Sequence, residues 1–199
     1  MLGVAILFGV IGLLDDWLKV SRMNSSGLKS YQKIIPQLVI AFFAAWIILE
    51  NTPENLQNTF SIPFLKDSIL FLGILYIPFT ILVIVGSSNA VNLTDGLDGL
   101  AIVPVMIAAG SLAVIAYLVG NINFSNYLQL NYVPGVGEIT VLLGAIIGSG
   151  LGFLWFNAPP AMVFMGDTGS LSLGGVIGVT ASASRHESVS YTHLRAHET

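Results

Sequence analysis

The chain has 199 residues, of which 54% are hydrophobic and 9% are charged, and its net charge is −4. With a mean hydropathy of +0.83, it cannot be an ordinary soluble domain, in which about a quarter of the residues are charged. Because there is no cysteine, a disulfide framework and thiolate-based metal or redox chemistry are excluded. No basic face is interleaved with aromatic residues, which argues against nucleic-acid binding. The composition predicts a multispan membrane protein.

Six apolar segments follow one another along the chain and predict an all-α bundle of transmembrane helices. They cover residues 1–14, 34–50, 68–87, 100–120, 138–156 and 170–183. A helix needs about 20 residues to cross a bilayer, so the middle four are long enough and the first and last are too short. We therefore interpret the chain as a fragment that is cut through a helix at both ends.

The connections between these segments fall on two sides of the membrane, because consecutive spans alternate in direction. One side holds residues 15–33, 88–99 and 157–169, and the other side holds residues 51–67 and 121–137. Most of the basic residues of the membrane region lie in the first connection: Lys19, Arg22, Lys29 and Lys33. Only Lys66 lies on the opposite side. By the positive-inside rule, the side that holds the first connection is cytoplasmic.

Two parts of the chain have no predicted chemical role. In the outer connections, the alternating stretch from Thr59 to Leu65 predicts a short hairpin.

Residues 1–183 are predicted to form the membrane domain, and residues 184–199 a polar tail that is disordered or non-native. This tail contains all three histidines, His186, His193 and His197. Their spacings do not make a tight metal-ligand set without further ligands.

Five aspartates flank the apolar segments on the predicted cytoplasmic side: Asp15, Asp16, Asp95, Asp98 and Asp167. Charges beside hydrocarbon are costly and therefore indicate function. Adjacent residues of a helix point about 100° apart, so Asp15 and Asp16 cannot present both carboxylates to one ion in the same way. A pair of solvated charges that ends a span would explain them equally well.

A second polar pattern repeats every three residues: Asn89, Asn92, Asp95 and Asp98. On a helix this spacing forms one polar face, whereas a polar loop with Asx turns is the alternative. Asp167 lies in Gly-Asp-Thr-Gly-Ser before an apolar helix, where capping alone would explain Asp, Thr and Ser. A helix N-terminus also binds anions, so a carboxylate there can hold a metal ion while N–H groups bind phosphate.

The ion that fits these residues is Mg²⁺, or Mn²⁺ in its place, because the ligands are hard oxygens. Magnesium usually takes one or two carboxylates and completes its shell with water and substrate phosphate. Lys19, Lys29 and Lys33 can contact phosphate as point charges, although they also serve to keep this connection inside. The residues predict a cytoplasmic, Mg²⁺-dependent site at the membrane surface for a phosphorylated substrate, with a lipid as one reactant.

Four stretches of the chain resemble the polyprenyl-phosphate N-acetylhexosamine-1-phosphate transferases. They are GLLDDWLKV, GLKSYQKIIPQ, SSNAVNLTDGLDGLA and FNAPPAMVFMGDTGSLSLGG. The resemblance runs from about Leu2 to Val179, and the last stretch favours the phospho-N-acetylmuramoyl-pentapeptide transferase branch. That family has about ten spans, each of about 20 residues, so the chain lacks spans at both ends and we expect it to be inactive alone.

The resemblance implies transfer of phospho-MurNAc-pentapeptide from UDP-MurNAc-pentapeptide to undecaprenyl phosphate, giving lipid I and UMP for peptidoglycan synthesis. It implies Asp15 as base or lipid-phosphate contact, Asp16 as support for substrate or metal, and Asp167 as metal ligand. Further residues match positions that line the substrate pocket: Lys33, Asn92, Asp95, Asp98 and Asn157. The family also suggests a homodimer in the bacterial inner membrane. Its histidine motif lies beyond the stretch that matches.

Three other interpretations stay open. A GlcNAc-1-phosphate transferase of the same superfamily would use the same chemistry on UDP-GlcNAc. A membrane transporter would place its charges near the bilayer midplane on broken helices, whereas these aspartates lie at span ends on one side. A scaffold without catalytic function would not need the residues of a metal site.

Overall fold

The computed structural model describes residues 1–23, 27–52, 59–61, 69–71, 73–96, 99–128, 130 and 132–184. In these ranges the chain forms seven α-helices: α1 (Leu2–Ser21), α2 (Ser30–Glu50), α3 (Tyr76–Thr94), α4 (Ile102–Val119), α5 (Ile122–Tyr127), α6 (Ile139–Asn157) and α7 (Gly166–Ala183). Short 3-10 turns, Gly73–Leu75 and Val136–Glu138, lead into α3 and α6. The predicted all-α fold is confirmed. Asp98, Lys66 and the tail beyond Ser184 lie outside the described residues.

Four helical segments are long and apolar enough to cross a membrane: Ser30–Glu50, Gly73–Thr94, Ile102–Val119 and Val136–Asn157. They correspond to the four spans predicted as long enough, and they make the chain a multi-pass membrane protein. The first and last apolar segments lie within longer helices, since α1 has 20 residues and α7 has 18, but neither helix is among the four candidate spans of the described residues. Both helices continue through charged or polar turns that the apolar runs do not include.

The third span is shifted along the chain relative to the prediction. Strand β1 (Thr59–Ser61) pairs antiparallel with strand β2 (Ile69–Phe71), so the start of the apolar run 68–87 belongs to a hairpin. The predicted hairpin is therefore present, with its second strand beyond Leu65. Helix α3 begins only at Tyr76 and continues to Thr94, so most of the connection predicted at 88–99 is helical.

The outer connection 121–137 contains the short helix α5 and packs against the end of α4 in its described residues. Asn121 caps α5 by accepting hydrogen bonds from the backbone N–H groups of Asn123 and Phe124 at 3.0 and 3.4 Å. Val133 and Val136 then pack with Val119 at the end of α4. These contacts close the outer end of the α4–α6 pair.

Helix α7 holds the bundle together by packing against both α1 and α3. Its Gly174 and Gly178 lie so close to α3 that a Cβ on either would approach the Cα of Ser88 or of Ile84 to less than 3 Å. In a bilayer, small residues permit the close packing that substitutes for a hydrophobic driving force between helices. Large apolar side chains are exposed on the outer faces of the bundle, including Trp17, Phe43, Val114 and Val141, as expected for a surface that contacts lipid.

We expect Gly174→Ala to destabilise the bundle by about 1–3 kcal/mol, as overpacking does in tightly packed cores. The added methyl group would meet the backbone of Ser87 and Ser88, which cannot move without separating α3 from α7. The matched control is Gly144→Ala in α6, where a Cβ meets nothing within 4 Å. Thermal unfolding in detergent of a full-length protein that contains this chain measures both. An equal melting temperature for the two variants would contradict the close crossing.

Candidate functional site

The ends of four helices meet at one end of the bundle and bring together residues from distant parts of the chain. Helix α1 contributes Asp15, Asp16 and Lys19, α2 contributes Lys33 from its first turn, and α7 contributes Asp167. The last turn of α3 contributes Asn92 by a hydrogen bond to Asp167. These contacts confirm that the connections after α1, α3 and α6 lie on the same side.

Asp15 is enclosed completely, with 0% of its side chain exposed. Its Oδ1 accepts a hydrogen bond of 2.6 Å from the backbone N–H of Leu28. Its Oδ2 lies 2.5 Å from Nζ of Lys19, one helical turn away, and 3.0 Å from Nζ of Lys33. A Cβ on Gly27 would overlap this carboxylate, so glycine is needed where the chain passes over it. The buried negative charge is thus paired with two lysines and one backbone N–H group.

Asp167 connects the same lysines to α3. Its Oδ2 accepts a hydrogen bond of 2.6 Å from Nζ of Lys33 and lies 3.3 Å from Nζ of Lys19. Its Oδ1 accepts a hydrogen bond of 3.0 Å from the side-chain amide of Asn92, which also donates to Oγ of Ser170 at 2.9 Å. Two lysines and one asparagine therefore fix the direction of the Asp167 carboxylate.

Asp16 faces the first turn of α7. Its Oδ2 accepts hydrogen bonds from the backbone N–H and the hydroxyl of Thr168 at 2.9 and 2.7 Å. Its Oδ1 accepts a longer one of 3.3 Å from the backbone N–H of Asp167. The nearest lysine, Lys19, is 3.8 Å from Oδ1. The two neighbouring aspartates therefore serve different partners.

The three carboxylates can offer one oxygen each within 4.8 Å of one another. Hard carboxylate oxygens are suitable ligands for Mg²⁺, which usually takes one or two of them. Lys19 and Lys33 lie among these oxygens, so three negative charges face two positive charges and one negative charge remains. The donor set is chemically suited to a divalent cation, and the lysines limit how many carboxylates can bind it at once.

Asp95 follows α3 directly and lies near the same charges. Burial raises the pKa of Asp95 to about 6, and the negative charges of Asp167 and Asp16 contribute to the increase. A hydrogen bond with the backbone of Gly166 opposes it. The structure thus brings Asp95 to the start of α7, although Asp98, its predicted companion, lies outside the described residues.

Asn157 makes its hydrogen bonds to backbone groups and not to the cluster of Asp15, Asp16 and Asp167 in the described part of the chain. It is buried at the end of α6, where its Oδ1 accepts a hydrogen bond of 2.9 Å from the backbone N–H of Gly99 and its Nδ2 donates one of 2.8 Å to the carbonyl of Val163. Both ends of the amide therefore connect backbone segments. In this structure Asn157 shapes the two connections that border the site.

The structure adds residues that were not among the predicted site residues. The Oε1 of the fully buried Gln37 accepts a hydrogen bond of 2.7 Å from the side chain of Asn89, which connects α2 to α3 one turn from Lys33 and Asn92. A cavity of about 240 Å³ lies beside this pair, lined by Leu28, Ser30, Lys33, Ile34, Asn89 and Asn92. In the sequence, the three-residue spacing of Asn89 and Asn92 indicated one partner of this hydrogen bond, Asn89. No sequence pattern indicated the other partner, Gln37.

A larger depression, of about 410 Å³, is lined by Leu151, Leu154, Trp155 and Ala158. It is apolar and faces outward from α6. No charged side chain lines it. The smaller cavity is the polar one of the two, since Lys33, Asn89 and Asn92 line it.

Comparison with known proteins agrees with the resemblance. The chain is 57% identical over 189 residues to a protein named phospho-N-acetylmuramoyl-pentapeptide-transferase from Ruegeria sp. (strain TM1040), an alignment covering 95% of this chain and 52% of that protein. Proteins of the same name from Bartonella quintana (strain Toulouse) and Caulobacter sp. (strain K31) are 55% and 52% identical over 186 and 194 residues. These alignments cover 94% and 95% of the chain, and 51% and 52% of the relatives.

The chain therefore spans about half the length of the curated relatives that it matches. The model of one family, described as glycosyl transferase family 4, matches residues 1–185 and so includes every helix of the bundle and every residue of the carboxylate–lysine site. On this match, the chain belongs to glycosyl transferase family 4.

Proposed function

We propose that a full-length protein containing this chain transfers phospho-MurNAc-pentapeptide from UDP-MurNAc-pentapeptide to undecaprenyl phosphate, giving lipid I and UMP. The observation that carries the proposal is the cluster of three carboxylates and two lysines at one end of the helices. The name shared by relatives that are 52–57% identical supports the choice of substrates. Charges at the ends of helices favour a surface enzyme over a transporter.

The reaction forms one bond and breaks another between phosphates. An oxygen of undecaprenyl phosphate attacks the phosphorus that carries the sugar, and the bond from that phosphorus to the bridging oxygen breaks. UMP then leaves with the bridging oxygen and its electron pair. Such transfers depend on positioning and charge neutralisation more than on covalent catalysis by the protein.

Asp167 is our proposed ligand for Mg²⁺ or Mn²⁺, with Asp15 and Asp16 close by. When bound, the ion would neutralise diphosphate charge and stabilise the leaving UMP. Lys19 and Lys33 exchange their carboxylate partners for substrate phosphate oxygens. Asp15, which these lysines release, becomes available to contact the lipid phosphate or to accept its proton. Because Asp15 is fully buried beneath these contacts, this role requires its partners to move before it can meet substrate.

We assign the nucleotide-sugar pocket to Asn92, Asp95, Asp98 and Asn157. Asn92 and Asp95 border Asp167 and the start of α7. Asn157 would act through the backbone of Gly99 and Val163, the segments that it connects. The resemblance also implies a homodimer, which light scattering of the full-length protein would test.

One prediction of this proposal concerns the reaction itself. UMP release in nanodiscs that contain undecaprenyl phosphate should require UDP-MurNAc-pentapeptide and Mg²⁺. Asp167→Asn should lower it by about a hundredfold or more, because the loss of even an outer-shell partner of a metal ligand costs about 10–100-fold. The full-length protein is used because the chain spans about half of its relatives. The control is Glu138→Gln, an exposed carboxylate at the start of α6 on the other side, which should leave the rate unchanged.

The outcomes of this assay separate the alternatives. Release from UDP-GlcNAc alone would assign the protein to the GlcNAc-1-phosphate branch. Release from neither substrate would favour the transporter and scaffold hypotheses. Full activity of Asp167→Asn, or activity that persists in a chelator, would exclude the proposed metal site.

Another prediction of this proposal concerns the side of the membrane that the site faces. We propose that the site faces the cytoplasm of the bacterial inner membrane, because Lys19, Arg22, Lys29 and Lys33 lie on its side. The chain has no cysteine of its own, so single cysteines can be introduced on both sides. Met23 follows α1 on the side of the site and is 97% exposed, and Tyr127 lies at the end of α5 and is 85% exposed.

In intact cells that express the full-length protein without other cysteines, an impermeant maleimide added outside should label Tyr127→Cys and spare Met23→Cys. Inverted membrane vesicles should give the reverse labelling. Labelling of Met23→Cys from outside would place the site on the wrong face for a UDP-linked substrate and would contradict the proposed orientation.

A further inference from the structure

Helix α7 begins without a capping side chain of its own. Its first helical residue is Gly166, and the preceding residue, Met165, makes no side-chain cap hydrogen bond. The first backbone N–H groups of any helix have no partner within the helix. Capping by the side chain of Asp167 would be the local solution, but Asp167 faces the lysines.

The cap comes instead from α1, 151 and 152 residues away in the chain. The Asp16 carboxylate accepts hydrogen bonds from the backbone N–H groups of Asp167 and Thr168 and from the hydroxyl of Thr168. A carboxylate at this place also interacts favourably with the positive end of the helix dipole. All the hydrogen bonds that the structure gives to the Asp16 side chain therefore lead to the first turn of α7.

The backbone around this contact is shaped to permit it. Gly166 has φ of +66°, a conformation that favours glycine, and a Cβ there would lie 2.8 Å from Oδ2 of Asp16. Gly12 lies one turn before Asp16 on the same face of α1, and a Cβ there would overlap the backbone of Asp167. A side chain at either glycine would push the start of α7 away from α1.

We infer that Asp16 is a positioning residue, which fixes the first turn of α7 so that the Asp167 side chain faces Lys33 and Asn92. It acts on the reaction through Asp167 and does not itself bind the metal ion or exchange a proton with substrate. This inference deepens the proposed function and rests on it for the role of Asp167. It differs from the role that the family resemblance implies for Asp16, which is support for substrate or metal.

Two substitutions of Asp16 separate the roles. Asn is about as good a helix cap as Asp, so Asp16→Asn should keep kcat within about threefold of wild type, whereas Asp16→Ala should lower it about tenfold or more. The amide oxygen introduced by Asp16→Asn can still accept both hydrogen bonds from Thr168. A general base or a charged metal ligand would tolerate neither change, and both variants would then lose about a hundredfold or more.

Amide hydrogen exchange provides the readout that does not depend on activity. In the full-length protein without substrate, Asp16→Ala should speed exchange in peptides that cover residues 166–169, and Asp16→Asn should leave it near the wild-type rate. Peptides from α4 should be unchanged in both variants. A general loss of structure would instead raise exchange in both regions. Because no substrate is present, this measurement tests the contact even if the protein transfers another sugar phosphate.

Substitutions of Thr168, the other partner in the contact with Asp16, provide a matched test. Thr168→Val removes the hydroxyl donor and should weaken protection of the same amides, while Thr168→Ser should preserve it. In the Asp16→Ala background, Thr168→Val should have no further effect, because the shared contact is already lost. Unchanged exchange in Asp16→Ala, or Asp16→Asn that is as inactive as Asp16→Ala with wild-type exchange, would overturn the inference.

Discussion

The balance of charge at one end of the bundle is the constraint on which the rest of the structure depends. Asp15 is fully buried and close to Asp167, and two such carboxylates repel unless cations lie between them. Lys19 and Lys33 supply those cations from different helices. Removing one partner of a buried ion pair costs about 3–5 kcal/mol, because the other charge is left unpaired. Helices α1, α2 and α7 therefore cannot shift independently at this end.

The same balance gives a physical reason for a pair of adjacent aspartates. Side chains of neighbouring helical residues point about 100° apart, and here one faces the lysines and the other faces the start of α7. Asp15 forms ion pairs with the lysines, whereas Asp16 accepts hydrogen bonds from the backbone at the start of α7. A single aspartate in α1 could do only one of these, so the lysines and α7 could not both be fixed by it. The pair couples the electrostatics of the site to the packing of α7.

The amino-acid sequence predicted the four long spans and the common side of Asp15, Asp16 and Asp167, because both follow from runs of apolar residues and from alternation. It did not predict where helices end. An apolar run marks the part of a helix that faces lipid, whereas α1 continues through Asp15 to Ser21 because the charged turn is paired within the protein. The cap from Asp16 to Thr168 could not be predicted, since its partners are 152 residues apart.

The close approach of the α3 and α7 backbones makes the geometry of the site depend on the packing of the bundle. Ser88 donates a hydrogen bond to the carbonyl of Leu171 at the crossing of α3 and α7, and Asn92 lies one turn further along α3. The glycine at 174 lets α3 come near enough at this crossing. The hydrogen bond from Asn92 to Asp167 therefore depends on the distance between two helix backbones. A wider crossing would remove the partner of Asp167 Oδ1 without changing any residue of the site, so the geometry of the site depends on small residues in α7.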